Sequence, residues 1–135
     1  MNLLAIDYGT KNIGMAWVQT GINVVLPFGK ISRSSVGGEN KETKASAQKL
    51  VELVNKEKID KIVVGLPLGL DGKENKNTER VRGFIDEVKK AIDIPVEFIT
   101  EIFSSQAGDR MGAGVSRDEK AAMVILQSYL DKKAV

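Results

Sequence analysis

The sequence predicts an α/β fold, a mixed five-stranded sheet with three antiparallel strands followed by two parallel ones, flanked by helices. Three observations predict it. Up to Ile31 the chain holds three apolar runs joined by short polar connections, the pattern of an antiparallel meander. Two further short apolar runs follow, one stopped by Gly65 and Pro67 and one opening at Pro95. Between and after them lie segments whose apolar residues recur at helical spacing.

Leu3-Leu4-Ala5-Ile6 is an unbroken apolar run, which suits a central strand covered on both faces better than an alternating one. Asp7 stands where that strand ends. Gly9 can take a positive φ, and Thr10-Lys11-Asn12 supplies turn chemistry before the second run, Ile13 to Val18. Ile22 to Ile31 reads as a third strand with Val24, Val25, Leu26 and Phe28 as its apolar content, and Pro27 marks it as an edge or a bulge. Ser32 to Glu39 is polar loop. Lys41 to Lys56 places Ala45, Leu50, Leu53 and Val54 on one helical face. Lys61 to Pro67 is a short buried strand, set parallel to the first by a right-handed crossover. A turn-rich loop over Leu68 to Asn77 leads to a second helix, Thr78 to Ile92, which buries Val81, Ile85 and Val88. Pro95 to Ile99 is the last strand and runs out at Thr100-Glu101. A short helix or loop from Ser104 passes the Gly-rich Met111 to Gly114, and a wide-faced apolar helix spans Arg117 to Asp131.

The 135 residues suffice for a core, and a single domain over 1–135 is expected. The chain has no cysteine and no histidine. This removes disulfides, thiolate metal sites, the serine–histidine triad and histidine bases together. Catalysis must then rest on carboxylates, lysines or bound metal. The chain enters its first strand almost at once, so no secretory leader is expected, and no apolar run approaches a membrane span. Cytoplasmic location without membrane association follows as the expectation. A net charge of +2 neither announces nor excludes a nucleic-acid partner.

In such sheets, sites form at the carboxyl ends of the parallel strands. Asp7 ends the first strand and Glu101 the last. Asp118 lies four residues before Ala122 and seven before Ile125, at the end of the final helix's core-facing stripe. Three carboxylates at one cleft repel each other unless a cation intervenes, and oxygen-only ligands suit Mg²⁺ or Mn²⁺. Two such ions about 4 Å apart support phosphodiester hydrolysis. Each acid has a plainer reading. Asp7 can organise the turn through an Asx bond to the Gly9 or Thr10 amide, Glu101 can be a strand-end surface charge, and Ser116 or Asp118 can cap the helix. Arg80 and Arg82 read equally as solvated helix residues, and Trp17 as core.

Asp7-Tyr8-Gly9-Thr10-Lys11-Asn12-Ile13-Gly14, Val64-Gly65-Leu66-Pro67, Asp71-Gly72 and Ile125-Leu126-Gln127-Ser128-Tyr129-Leu130 together resemble the YqgF family, also called RuvX. Its members are bacterial proteins named as pre-16S rRNA nucleases and as Holliday junction resolvases. The resemblance spans essentially the whole chain. It implies an RNase H-like fold and an acidic metal site carried onto Asp7, Glu101 and Asp118. The family's Asp-Glu-Arg stands here as Thr100-Glu101-Ile102, which keeps the acid and lacks the arginine. Its basic segment before the final acid is missing, since Val115-Ser116-Arg117 runs directly into Asp118. The third acid is therefore placed by counting back from Ile125-Leu126, with Glu119 one step away.

The expected function is a Mg²⁺- or Mn²⁺-dependent nuclease acting on structured nucleic acid, either pre-rRNA or branched DNA, as a monomer or a homodimer. Lys11, Arg80, Arg82 and Arg117 are the candidate phosphate contacts. A non-catalytic binding protein on ribosomal or transcription machinery is the rival from another class. The Asp-Tyr-Gly-Thr turn also resembles the first phosphate loop of the actin, Hsp70 and sugar-kinase ATPases, but those need a second lobe and this chain is too short for one.

Overall fold

Strand β1, Asn2–Tyr8, occupies the middle of a five-stranded sheet ordered β3-β2-β1-β4-β5. The computed structural model describes residues 1–9, 11–22, 24–33, 39–69, 71–101 and 116–133, with the side chains at 39–41, 101 and 133 outside that description. β2 (Asn12–Gln19) and β3 (Leu26–Ser32) complete an antiparallel meander. Helix α1 (Glu39–Lys56) then leads to β4 (Lys61–Pro67), parallel to β1, and α2 (Lys76–Lys89) leads to β5 (Val96–Glu101), parallel to β4. Helix α3 (Arg117–Lys133) closes the described chain. The short helix or loop expected from Ser104, and the segment Met111 to Gly114, lie outside the described residues.

β1 is central because both of its faces are apolar. Leu4 and Ile6 pack with Leu50 and Val54 of α1 and with Phe84 and Ile85 of α2. Leu3 and Ala5 pack with Ala122, Ile125 and Leu126 of α3 on the other side. Burying a leucine or isoleucine contributes about 2 kcal/mol, so two such layers hold β1 firmly. Asp7 shares the parity of Leu3 and Ala5, which directs it to the α3 face.

Four local expectations are corrected. The third strand begins at Leu26, because β2 pairing ends at Trp17↔Leu26 and residues ahead of it have no strand to join. Ile22 and Val24 are exposed. Pro27 does sit on an edge strand, beside a register shift between Gly14 and Ala16. In α1 Ala45 is exposed, and the inward stripe runs instead through Glu42, Ser46, Leu50 and Val54. Gly9 has no positive φ; among the described glycines that conformation belongs to Gly21, Gly29 and Gly72. Gly9 is glycine for room, since a Cβ there would stand 2.6 Å from the Asn12 carbonyl oxygen. Helix α2 starts earlier than expected because Asn75 caps it, its Oδ1 accepting from the Asn77 and Thr78 N–H groups.

Candidate active site

The β1–β2 turn and the first turn of α3 meet at the carboxyl end of β1. Asp7 pairs with Gly14 across the hairpin, and α3 is laid so closely on Gly14 that a Cβ there would fall 1.9 Å from the Asp118 carbonyl oxygen. This contact sets Asp118 over the turn. Its Oδ2 accepts a hydrogen bond from Asn12 Nδ2 at 3.3 Å, and its Oδ1 lies 3.7 Å from where a Gly9 Cβ would stand. Burial first, and the nearby Asp118 charge second, raise the Asp7 carboxyl from an ordinary 3.8 to about 6. The Gly9 N–H, the expected Asx partner, goes to the backbone carbonyls of Asp7 and Asn12 instead. Thr10, the other, lies outside the described residues.

Glu119, the other reading of the third acid, points elsewhere. Its Oε2 accepts from the Gly29 N–H at 2.8 Å, and its Oε1 from the Ser116 hydroxyl at 2.9 Å. Ser116 in turn accepts the Glu119 N–H at 3.2 Å and caps α3. Burial opposes ionisation of Glu119, but the Gly29 and Ser116 donors outweigh it and hold the carboxyl below its ordinary value. Asp118 is thus brought to Asp7, while Glu119 ties α3 to the bulged edge strand. Glu101 closes β5 opposite Pro67, two strands from Asp7, and its side chain lies outside the described residues. Among the described residues no three acids form a metal-ligating group.

Of the candidate phosphate contacts, Lys11 is exposed on the turn after Asp7, and Arg117 is exposed at the first position of α3. Arg80 lines a cavity of about 250 Å³ that also touches Asp7, Tyr8, Gly9 and Arg33. Arg82 is instead paired with Glu74 at 2.7 Å, with its guanidinium 5.2 Å from the Phe98 ring centroid.

Two site-supporting residues escaped the sequence reading. Arg33 donates to the Gly9 carbonyl oxygen, lies 4.2 Å over the Tyr8 ring, and is fixed by two bonds to Glu42, 2.8 Å from Nε and 3.0 Å from Nη2. Glu42 is only 6% exposed and also accepts from Ser46 at 3.1 Å. The signal available was a glutamate and a serine one turn apart on the inward face of α1, set against an arginine at the end of β3. Glu42→Ala is expected to cost about 2 kcal/mol at pH 7, because it strips a charged hydrogen bond from a mostly buried guanidinium. Arg33 holds the Glu42 carboxyl below its ordinary 4.5. The contribution is therefore full above that value and fades as pH falls through the lower folded value. Urea titrations of parent and variant should converge under acid; a constant difference would contradict the ion-pair account.

A model of the RuvX family, described as Holliday junction resolvase, matches residues 1–132. The chain belongs to the RuvX family. A protein of Maridesulfovibrio salexigens named "Putative pre-16S rRNA nuclease" is 31% identical over 139 residues, covering 96% of this chain and 98% of the relative. Among solved structures, Thermus thermophilus RuvC aligns with a TM-score of 0.69 at 12% identity, over 93% of this chain and 90% of that one. The fowlpox virus Holliday junction resolvase aligns with a TM-score of 0.60 at 11% identity, over 98% and 99%. At those identities the likeness is one of fold, and the RuvX chain shares the RNase H-like sheet that its motifs imply.

Proposed function

We propose that this chain is a divalent-metal-dependent nuclease, a hydrolase of structured nucleic acid that processes the 5′ end of pre-16S rRNA in the cytoplasm. The observation that carries the reading is the meeting of Asp7 with Asp118 at the carboxyl rim of the central strand. The name of the M. salexigens relative supplies the substrate. The family description favours a second reading, cleavage of a four-way DNA junction, which uses the same chemistry and needs two sites presented by a dimer.

The donor set fits Mg²⁺ or Mn²⁺. Both paired acids offer carboxylate oxygens, and the chain holds no softer histidine or cysteine ligand. Buried as it is, Asp7 resists ionisation beside Asp118, and a cation between them reverses that penalty. Asp7 and Asp118 would hold the ion, with Glu101 as the further ligand from the end of β5. When bound, it supplies Lewis-acid polarisation of the phosphoryl group and an acidified water. The chain's own residues do the positioning. Asn12 orients the Asp118 carboxylate, and Arg33, braced by Glu42, holds the Gly9 carbonyl and so the turn that carries Asp7.

The test is incubation of purified protein with precursor 16S rRNA and with a four-way DNA junction, each with Mn²⁺ or EDTA, beside Asp7→Asn. Metal-dependent cleavage of the rRNA that the variant lacks is expected. Cleavage restricted to the junction selects the second reading. Binding of rRNA without cleavage by the parent defeats both and leaves a binding protein of this fold. No helix among the described residues is long and apolar enough to cross a membrane.

A further inference from the structure

Among the described residues, the large apolar side chains left exposed are Met1, Ile22, Val24 and Leu26, at 44 to 66%. All four stand at one end of the sheet. Met1 leads into β1, and its carbonyl oxygen accepts the Thr20 N–H at 2.9 Å, which ties it to the β2–β3 turn. Ile22, Val24 and Leu26 fall at every second position on the approach to β3, while Val25 packs into the core under α3. Leu26 pairs with Trp17 across to β2, and Trp17 meets Phe28 edge-to-face at 6.0 Å. Both rings are half-buried, on the fringe of the core under α1 and α2. From Asn12 to Gly29 the chain carries no aspartate, glutamate, lysine or arginine. The surface is thus apolar and aromatic, with no charge of its own.

These features narrow what can cover it. A phosphodiester strand finds no cation within the segment. Sheet extension along β3 is blocked, because Pro27 has no N–H and the Gly29 N–H is given to Glu119 at 2.8 Å. Face-on contact with another protein surface remains, and the centres of such contacts are poor in charge and rich in aromatic residues. A second copy of this chain suits the patch. Across a two-fold axis a patch meets itself, so a charge near the axis faces its own like, whereas an uncharged patch is self-complementary. The area agrees. The four exposed side chains leave on the order of 400 Å² open, within the range of a monomer's largest and often functional patch. Two copies double it, and Trp17, Phe28 and a polar rim bring the pair to roughly the 1,200 Å² at which specific interfaces begin. The patch lies at the amino end of β1, where Asn2 pairs with Gln19, and Asp7 lies at the other end. Pairing here leaves both acidic rims uncovered.

We propose that two copies of this chain associate back to back through Ile22, Val24, Leu26 and Trp17. The dimer is weak, with a Kd on the order of 10 µM, because its area is at the low end for a specific interface. It stands apart from the nuclease reading and does not depend on it.

Sedimentation velocity on the full chain from about 1 to about 300 µM tests it, a range that brackets such a Kd. The emission of Trp17, the chain's one tryptophan, is followed over the same range. The parent should pass from monomer to dimer, with Trp17 emission moving to the blue at the same midpoint. Two double variants, Ile22→Lys with Val24→Lys and Ile22→Glu with Val24→Glu, should each weaken the dimer by about tenfold or more, since like charges then meet across the axis. An equimolar mixture of the two should associate more tightly than either alone, and salt should weaken that rescue. Both positions are exposed and precede β3, so circular dichroism of the variants should match the parent's. A double variant that fails to fold passes the decision to the Trp17 shift and to Ile22→Ser, which should weaken the dimer severalfold. A parent that stays monomeric overturns the proposal, whether or not it binds lipid vesicles or another protein. A dimer that leaves Trp17 emission unmoved, or that the charged variants form as readily, overturns it too, because the copies then meet through another face. So does a mixture no tighter than its components.

Discussion

Asp7→Asn is expected to abolish cleavage and, at the same time, to make the metal-free protein more stable. The two effects have one cause. In the folded chain burial and Asp118 raise the Asp7 carboxyl to about 6 from 3.8, so its charged form is disfavoured by the fold. The folded state binds the more protons between those values, and stability therefore falls as pH climbs through that window. At pH 8, where Asp7 is ionised in both states, the difference amounts to about 2 to 3 kcal/mol. The isosteric amide removes that penalty, and a gain of about 2 kcal/mol corresponds to roughly 8 °C in Tm for a chain of this size. Thermal unfolding in EDTA at pH 5 and pH 8 measures it. The parent should lose stability between the two pH values, and the variant should lose less. Adding Mn²⁺ should raise the parent's Tm and leave the variant's unchanged. Were Asp7 only the keystone of its turn, the substitution would destabilise at both pH values and metal would move neither protein.

The five strands and their directions were legible because each strand carries its signal locally. The unbroken Leu3 to Ile6 run marks a strand buried on both faces, and Pro27 marks the edge. The boundaries that were misjudged depend on partners. Leu26 opens β3 because Trp17 is the last β2 residue that pairs on that side, a fact of register that no window around Ile22 contains. The site was legible in part. Asp7 stood out as an acid after four apolar residues, but Asp118 and Glu119 are adjacent in sequence and equivalent by type. What separates them is packing: Gly14 admits the backbone of Asp118, and the Gly29 N–H left at the bulged edge claims Glu119. Arg33 and Glu42 were invisible for a related reason. An arginine after a strand and a glutamate in a helix are ordinary surface residues until the fold buries them together.

Gly14→Ala is expected to be among the most destabilising single changes in the described chain, about 3 kcal/mol or more. The added Cβ would fall 1.9 Å from the carbonyl oxygen of Asp118, 2.3 Å from its carbonyl carbon and 2.9 Å from its Cβ. Two of those atoms are backbone, so no rotamer change relieves the clash. Either α3 lifts from β2 or the hairpin bends, and both movements take Asp118 from Asp7. Gly65→Ala is the matched comparison. Its Cβ would meet Ile125 Cδ1 at 2.3 Å and Cγ1 at 2.9 Å, the outer atoms of a side chain that can turn. A cost of about 1 kcal/mol with cleavage retained is expected there. Urea titration ranks the two variants, and Mn²⁺-induced Tm shifts report whether the acids still meet. Gly14→Ala should lose that shift even at temperatures where it remains folded, and Gly65→Ala should keep it. Equal stability losses in both, or a full Mn²⁺ response in Gly14→Ala, would mean that the close seat of α3 on β2 is not what brings Asp118 to Asp7.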